Sequence, residues 1–216
     1  MTQKRSEHKS TQTQKLTLGE GTALVKLARE AITHYIEKKI TIKPPPSDGN
    51  LVRKSGVFVT LNTYKTHTLR GCIGFPYPDQ PLIEATVKAA IYAATEDPRF
   101  EPVSIEEFRS SILIELTALT APRPLTAADR KALPELIDIG RHGLIVEGIR
   151  SSGLLLPQVA VEWEWNGADF LTNCCLKAGL PPDSWLLNDV TIKVFEGEIF
   201  EEIEPAGEVK KRSFGR

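Results

Sequence analysis

Cysteine is scarce, with three thiols in 216 residues. Cys72 lies far along the chain from the vicinal pair Cys174 and Cys175, and a disulfide between adjacent residues would close a strained ring. Such a set does not make the disulfide framework of a secreted domain, so all three are expected to be reduced. Histidine is sparse as well, with His8, His34, His67 and His142 the only four. There is no Cys-x-x-Cys and no His-Glu-x-x-His, which gives a dedicated zinc site little support. Long apolar runs are also missing, and no stretch approaches the roughly 20 residues a membrane-spanning helix needs. Residues 1–15 are polar and lack a signal peptide's apolar core, which makes the cytoplasm the expected compartment. Neither sign of charge dominates. The formal net charge is -1 and the pI about 6.5, so no global positive field favours a phosphate backbone, and this argues against nucleic acid as a partner.

Chemistry is concentrated in residues 68–74, Thr-Leu-Arg-Gly-Cys-Ile-Gly. Read as a strand, this stretch sends Arg70 and Cys72 to one face and Leu69, Gly71 and Ile73 to the other. The thiol is therefore expected to have a guanidinium neighbour, and an electropositive, accessible setting lowers a thiol pKa. Burial acts in the opposite sense. Gly71 and Gly74 remove side chains where a bulge, a ligand or another backbone comes close.

Around that strand the pattern reads as hairpins and helices. Thr17 and Glu20 form a capping box for a helix that reaches about residue 39. A connector rich in proline and glycine, 44–50, precedes a strand at 57–61 that pairs antiparallel with 68–74. An alanine-rich helix starts at Pro81 and ends at Asp97-Pro98. Ser104 and Glu107 open a short helical turn before the strand 111–119, which places Glu115 on the face opposite Ile112, Ile114 and Leu116. Residues 121–138 read as irregular and mark a lobe boundary. A second hairpin uses 143–147 and 154–156, Asn166 caps a helix ending at Gly179, and a last hairpin at 190–195 and 198–203 turns about Glu196-Gly197. Hairpins outnumber alternating strand-helix units. The expected fold is α+β, a mainly antiparallel sheet flanked by helices, forming one domain over 17–203 with a smaller lobe roughly within 120–165. Residues 1–16 and 204–216 are expected to be tails.

The hexamer Leu69-Arg70-Gly71-Cys72-Ile73-Gly74 resembles the hallmark of the AMMECR-one family. Further matches follow in order: Asp97-Pro98-Arg99-Phe100, the Glu115 strand ending Leu119-Thr120, His142-Gly143-Leu144, Leu156-Pro157-Gln158-Val159, and Lys177-Ala178-Gly179 before a tryptophan. The series spans about residues 17–202. The resemblance implies a two-lobed α+β protein whose hallmark strand lines a cleft. It also implies an association with Memo-type or radical S-adenosylmethionine proteins, beside or fused to which relatives are found. It implies no settled reaction, and the cofactor stays unknown. Thr117 stands where close relatives often carry serine, and Cys174 and Cys175 fall outside the shared pattern.

Two functional readings follow. In the first, Cys72 is the nucleophile or redox group of a thiol-dependent enzyme or enzyme component, Arg70, Asp97 and Arg99 bind a small anionic substrate, and Glu115 or His142 moves protons. In the second, the hallmark strand belongs to a non-catalytic binding module for a Memo-type or radical S-adenosylmethionine partner. Each residue also has a plainer use: packing for Cys72, an ion pair for Glu115 with Arg70 or Arg99, a turn for Asp97 and His142, and core packing for Cys174 and Cys175. The first reading expects Arg70, Cys72, Asp97, Arg99, Glu115 and His142 to converge on one cleft.

Overall fold

The computed structural model describes residues 15–212. Helix α1 (Leu18–Lys38) begins as its sequence dictates: the Thr17 side chain accepts from the Glu20 amide, and the Glu20 carboxylate accepts from the Thr17 amide. It stops at Lys39, which takes the left-handed conformation. Strands β1 (Val57–Thr63) and β2 (Leu69–Phe75) form the first hairpin, followed by α2 (Leu82–Thr95), α3 (Ile105–Ser111) and β3 (Ile112–Leu119). Beyond lie β4 (Arg123–Pro124), β5 (His142–Glu147), β6 (Ser152–Leu155), α4 (Pro157–Glu162), α5 (Gly167–Lys177), β7 (Thr191–Glu202) and β8 (Val209–Arg212). All strand pairs are antiparallel, and the main path through the sheet runs β2-β1-β3-β7-β5-β6.

Strand β7 is the spine. Its second half, from Gly197, pairs with β3 on one side and β8 on the other, whereas its first half pairs with β4 and β5. The expected hairpin turn at Glu196-Gly197 is therefore absent and the strand runs straight through. Gly197 does not make a turn there; a Cβ on it would lie 3.0 Å from the Thr117 methyl on β3. Two tail expectations also change. Residues 209–212 form β8, and Leu16 is buried, its amide donating to Glu198 at 2.8 Å. Residues 1–14 and 213–216 lie outside the described residues.

Two cores flank the spine. The first gathers α1, α2 and the Val57, Val59, Leu61, Ile114, Leu116 and Phe200 side chains, and the second gathers α5 with Leu144, Val146, Ile192 and Val194. The second core reaches from Leu125 to Val194, past the range of about 120–165 expected for the smaller lobe. Along β7 the residues facing both helical cores are even-numbered, so α1, α2 and α5 cover the same side of the sheet. Odd-numbered positions form an inner face. There Leu119, Ile145 and Phe195 meet Phe58 and Tyr77 from the first lobe and Leu154 and Leu156 from the second, which joins the two lobes. Among the described residues no helix is long and apolar enough to cross a membrane.

Candidate functional site

Strand register builds the site. Thr60 on β1 stands opposite Cys72 on β2 and Glu115 on β3, and Glu115 stands opposite Glu201 on β7. These four side chains form one row across four strands on the inner face, because Val59, Leu61, Ile114 and Leu116 take the other side. The Cys72 amide donates outward to Asp97 Oδ2 at 2.8 Å, and its carbonyl accepts from Arg99 Nη2 at 3.4 Å. Its backbone groups thus point away from β1, which makes Cys72 and Thr60 a non-hydrogen-bonded pair, the kind whose side chains come closest. Thr60 Oγ1 accordingly donates to Cys72 Sγ at 3.3 Å.

Cys72 is part-buried and its thiol is pushed up, chiefly by burial. The Thr60 hydrogen bond and the Arg99 charge oppose that shift, while Glu115 and Asp97 add to it. Burial likewise pushes up the Glu115 carboxyl; Arg212 opposes, and the charges of Glu201 and Glu162 add. Arg212 Nη2 sits 3.1 Å from Glu115 and Nη1 3.6 Å from Glu201, and Lys210 holds Glu201 at 3.1 Å. At rest the row therefore holds a neutral thiol beside a carboxyl that takes up a proton more readily than usual.

The remaining expected site residues divide. Arg70 does not serve the thiol: its guanidinium is bound by Glu107 at 2.7 and 3.1 Å and donates to the Glu101 carbonyl. The cation acting on Cys72 is Arg99. Asp97 is buried and accepts from the Cys72 amide, the Arg99 amide and the Arg99 guanidinium, whose hydrogen bonds hold it well below the usual carboxylate range. It is a tie between the end of α2 and β2. His142 lies on the opposite side of the sheet, in line with Leu144 and Val146. Its Nδ1 accepts from the Asp138 amide, and Arg123 stands 3.3 Å from Nε2; burial first and this cation second keep it neutral. Cys72, Glu115, Asp97 and Arg99 thus come together, whereas Arg70 and His142 do not join them.

Cys174 is buried, contacts the Leu144 and Gly153 carbonyls, and is pushed up to about 12 by burial; Cys175 is pushed up by burial too. Among the described residues no group of three or more His, Cys, Asp or Glu could hold a metal ion.

Several neighbours were not singled out from the sequence. Thr60 carried a signal, since it alternates with Val57, Val59 and Leu61. A register shift between Leu61 and Asn62, which no residue type announces, decides its pairing with Cys72. Arg212 sits on a strand that reads as a charged tail. Glu162 on α4 acts on Glu115 through its charge alone, from the second lobe. A polar cluster in which the Tyr77 hydroxyl donates to Glu147 at 3.2 Å, and Lys193 holds Glu147 at 2.7 Å, likewise depends on the lobes meeting.

Comparison with known proteins agrees with this architecture. A model of the AMMECR1 family matches residues 25–200. Protein MK0488 of Methanopyrus kandleri is 55% identical over 201 residues, covering 92% of this chain and 96% of its own. Protein MJ0810 of Methanocaldococcus jannaschii is 52% identical over 195 residues, covering 90% and 96%. The crystal structure of the uncharacterized protein PH0010 from Pyrococcus horikoshii superposes with a TM-score of 0.82 at 50% identity, over 89% of this chain and 96% of that one.

Proposed function

The chain belongs to the AMMECR1 family, and from that premise we propose that the row Cys72, Thr60, Glu115 is the reactive centre of a thiol-dependent enzyme or enzyme component acting on a small substrate. The observation that carries this reading is the cross-strand pair that aims the Thr60 hydroxyl at Cys72 Sγ, with Glu115 one strand further along the same face. Cys72 and Glu115 are two strand spacings apart, about 9–10 Å between backbones. That leaves room over Thr60 for a substrate touching the sulfur at one end and the carboxylate at the other. On attack the S–H proton passes to Glu115 by way of the substrate or a water, the sulfur electron pair forms a bond to an electrophilic carbon, and that carbon's π pair moves to its oxygen. Thr60 steadies the thiolate as it forms. Arg99, whose side chain is 54% exposed, is the cation an anionic substrate group meets at the thiol end. Arg99 is also held by Asp97, but Arg70, held by Glu107, is only 18% exposed and has no part in this step.

The test is the alkylation rate of each cysteine against pH, read by peptide mass spectrometry. Cys72 should react faster than Cys174 and Cys175, with a midpoint above that of an ordinary thiol. Removing a neighbouring negative charge in Glu115→Gln should move that midpoint down, and removing the donated hydrogen bond in Thr60→Val should move it up. A Cys72 slower than the two buried cysteines, or a midpoint indifferent to both substitutions, would sink the proposal. A docking role toward a Memo-type or radical S-adenosylmethionine partner has a different observation behind it: Trp163 is 67% exposed and stacked on Trp165 just after α4.

A further inference from the structure

The β5–β6 turn and the segment after α5 form a surface remote from the Cys72 row. Gly148 to Ser151 is a tight turn closed by the Gly148 amide donating to the Ser151 carbonyl at 2.9 Å. It is seated firmly, because a Cβ on Gly148 would fall 3.2 Å from both terminal methyls of Leu180. Its next residue, Ile149, is 86% exposed, the most exposed of the large apolar side chains described. An isoleucine held out on a well-packed turn costs free energy in water and gains nothing within its own chain. Ile149 stands in the rim of a cavity of about 570 Å³ that Leu180, Leu187 and Val190 also line. The same wall carries Arg150 and Asp189, both exposed and neither with a hydrogen-bond or ion-pair partner among the described residues.

Knob, hole, one cation and one anion therefore share a single patch. This is the composition of a self-complementary surface. Under a two-fold axis the knob of each molecule meets the hole of the other, and each Arg150 meets the other molecule's Asp189. A second copy brings all four features at once, an apolar knob for the hole and a cation for the anion. We infer that this patch is an isologous interface through which the chain forms a dimer, with Ile149 as the apolar anchor and Arg150 and Asp189 as the reciprocal charge pair.

Sedimentation velocity on the full chain over a concentration series decides it. The parent should sediment as a species of twice the 23.9 kDa chain mass. Ile149→Glu and Arg150→Asp should each weaken dimerisation by roughly thirtyfold or more, the ratio typical of losing an interface anchor. Both positions are exposed, so circular dichroism should show unchanged folds. Arg150→Asp combined with Asp189→Arg restores reciprocal pairing with the signs exchanged and should recover most of the affinity. A parent that stays monomeric at every soluble concentration overturns the inference. So does a dimer insensitive to Ile149→Glu and Arg150→Asp, or one that the double reversal fails to restore.

Discussion

Gly71 shows what a single missing side chain can hold together. A Cβ at this position would lie 2.1 Å from the Ala93 carbonyl oxygen, which belongs to the α2 backbone and cannot rotate aside. The alanines of α2 bury little area apiece; what they contribute is proximity, and Gly71 lets that helix settle onto β2. Gly71→Ala should therefore destabilise despite alanine's lower backbone entropy cost. Overpacking a core costs about 1–3 kcal/mol, and a contact against backbone belongs at the upper end of that range. Chemical denaturation measures it, and a variant as stable as the parent would mean that α2 shifts away freely. Gly74 has a different reason, since its missing Cβ is replaced by the Phe58 ring 2.3 Å away on the next strand. In the sequence both glycines read as places of close approach, but which backbone or ring approaches was settled only by the packing.

At the scale of elements, the junction between α2 and β2 depends on Asp97. Its carboxyl is depressed mainly by the Arg99 guanidinium, so the folded chain holds Asp97 ionised below the ordinary value of 3.8. A group depressed on folding contributes stability that is present above its unfolded pKa and is lost as pH falls through the folded one. Asp97→Asn should thus cost stability at neutral pH, and parent and variant should converge in strong acid. A hydrogen bond to a charged group contributes about 1.5–3 kcal/mol, and the half-exposed Arg99 places the loss toward the lower figure. Urea melts from neutral to acid pH test this; a gap that stays constant would mean that the carboxyl charge is not what ties the junction. The sequence showed the turn residue Asp97 and the helix end before Pro98, because both are local. It also showed the capping box at Thr17 and the Ser104 cap, for the same reason, although at Ser104 the reciprocal arm is missing because the Glu107 carboxylate binds Arg70. It missed the uninterrupted run of β7, where Glu196-Gly197 has turn composition but both flanks are paired by strands distant in sequence. It likewise placed Arg70 with Cys72 from periodicity alone, and the carboxylate of Glu107, brought in by α3, took that guanidinium instead. Local chemistry was legible; partners supplied by tertiary packing were not.

For the whole molecule, one continuous strand runs through two cores, and Leu119, Ile145 and Phe195 bridge them on the inner face. Opening one lobe would strip paired backbone from the other, so the chain should unfold in one step. The three tryptophans, Trp163, Trp165 and Trp185, are all on the second-lobe side, whereas the two longest helices, α1 and α2, belong to the first. Tryptophan fluorescence and helical circular dichroism should therefore give the same midpoint in denaturant, and two separated midpoints would show that the lobes melt independently. The sheet must also end somewhere, and at β2 it ends on residues 69–74. An outermost strand normally leaves a row of amides and carbonyls on which a second chain can template itself. At Cys72 that donor and acceptor are already taken by the carboxylate of Asp97 and the guanidinium of Arg99, groups from the chain's own next turn. A strand arriving from another molecule finds the central rung of the ladder occupied, so the Asp-Pro-Arg segment guards the most chemically invested strand of the protein against edge-to-edge aggregation.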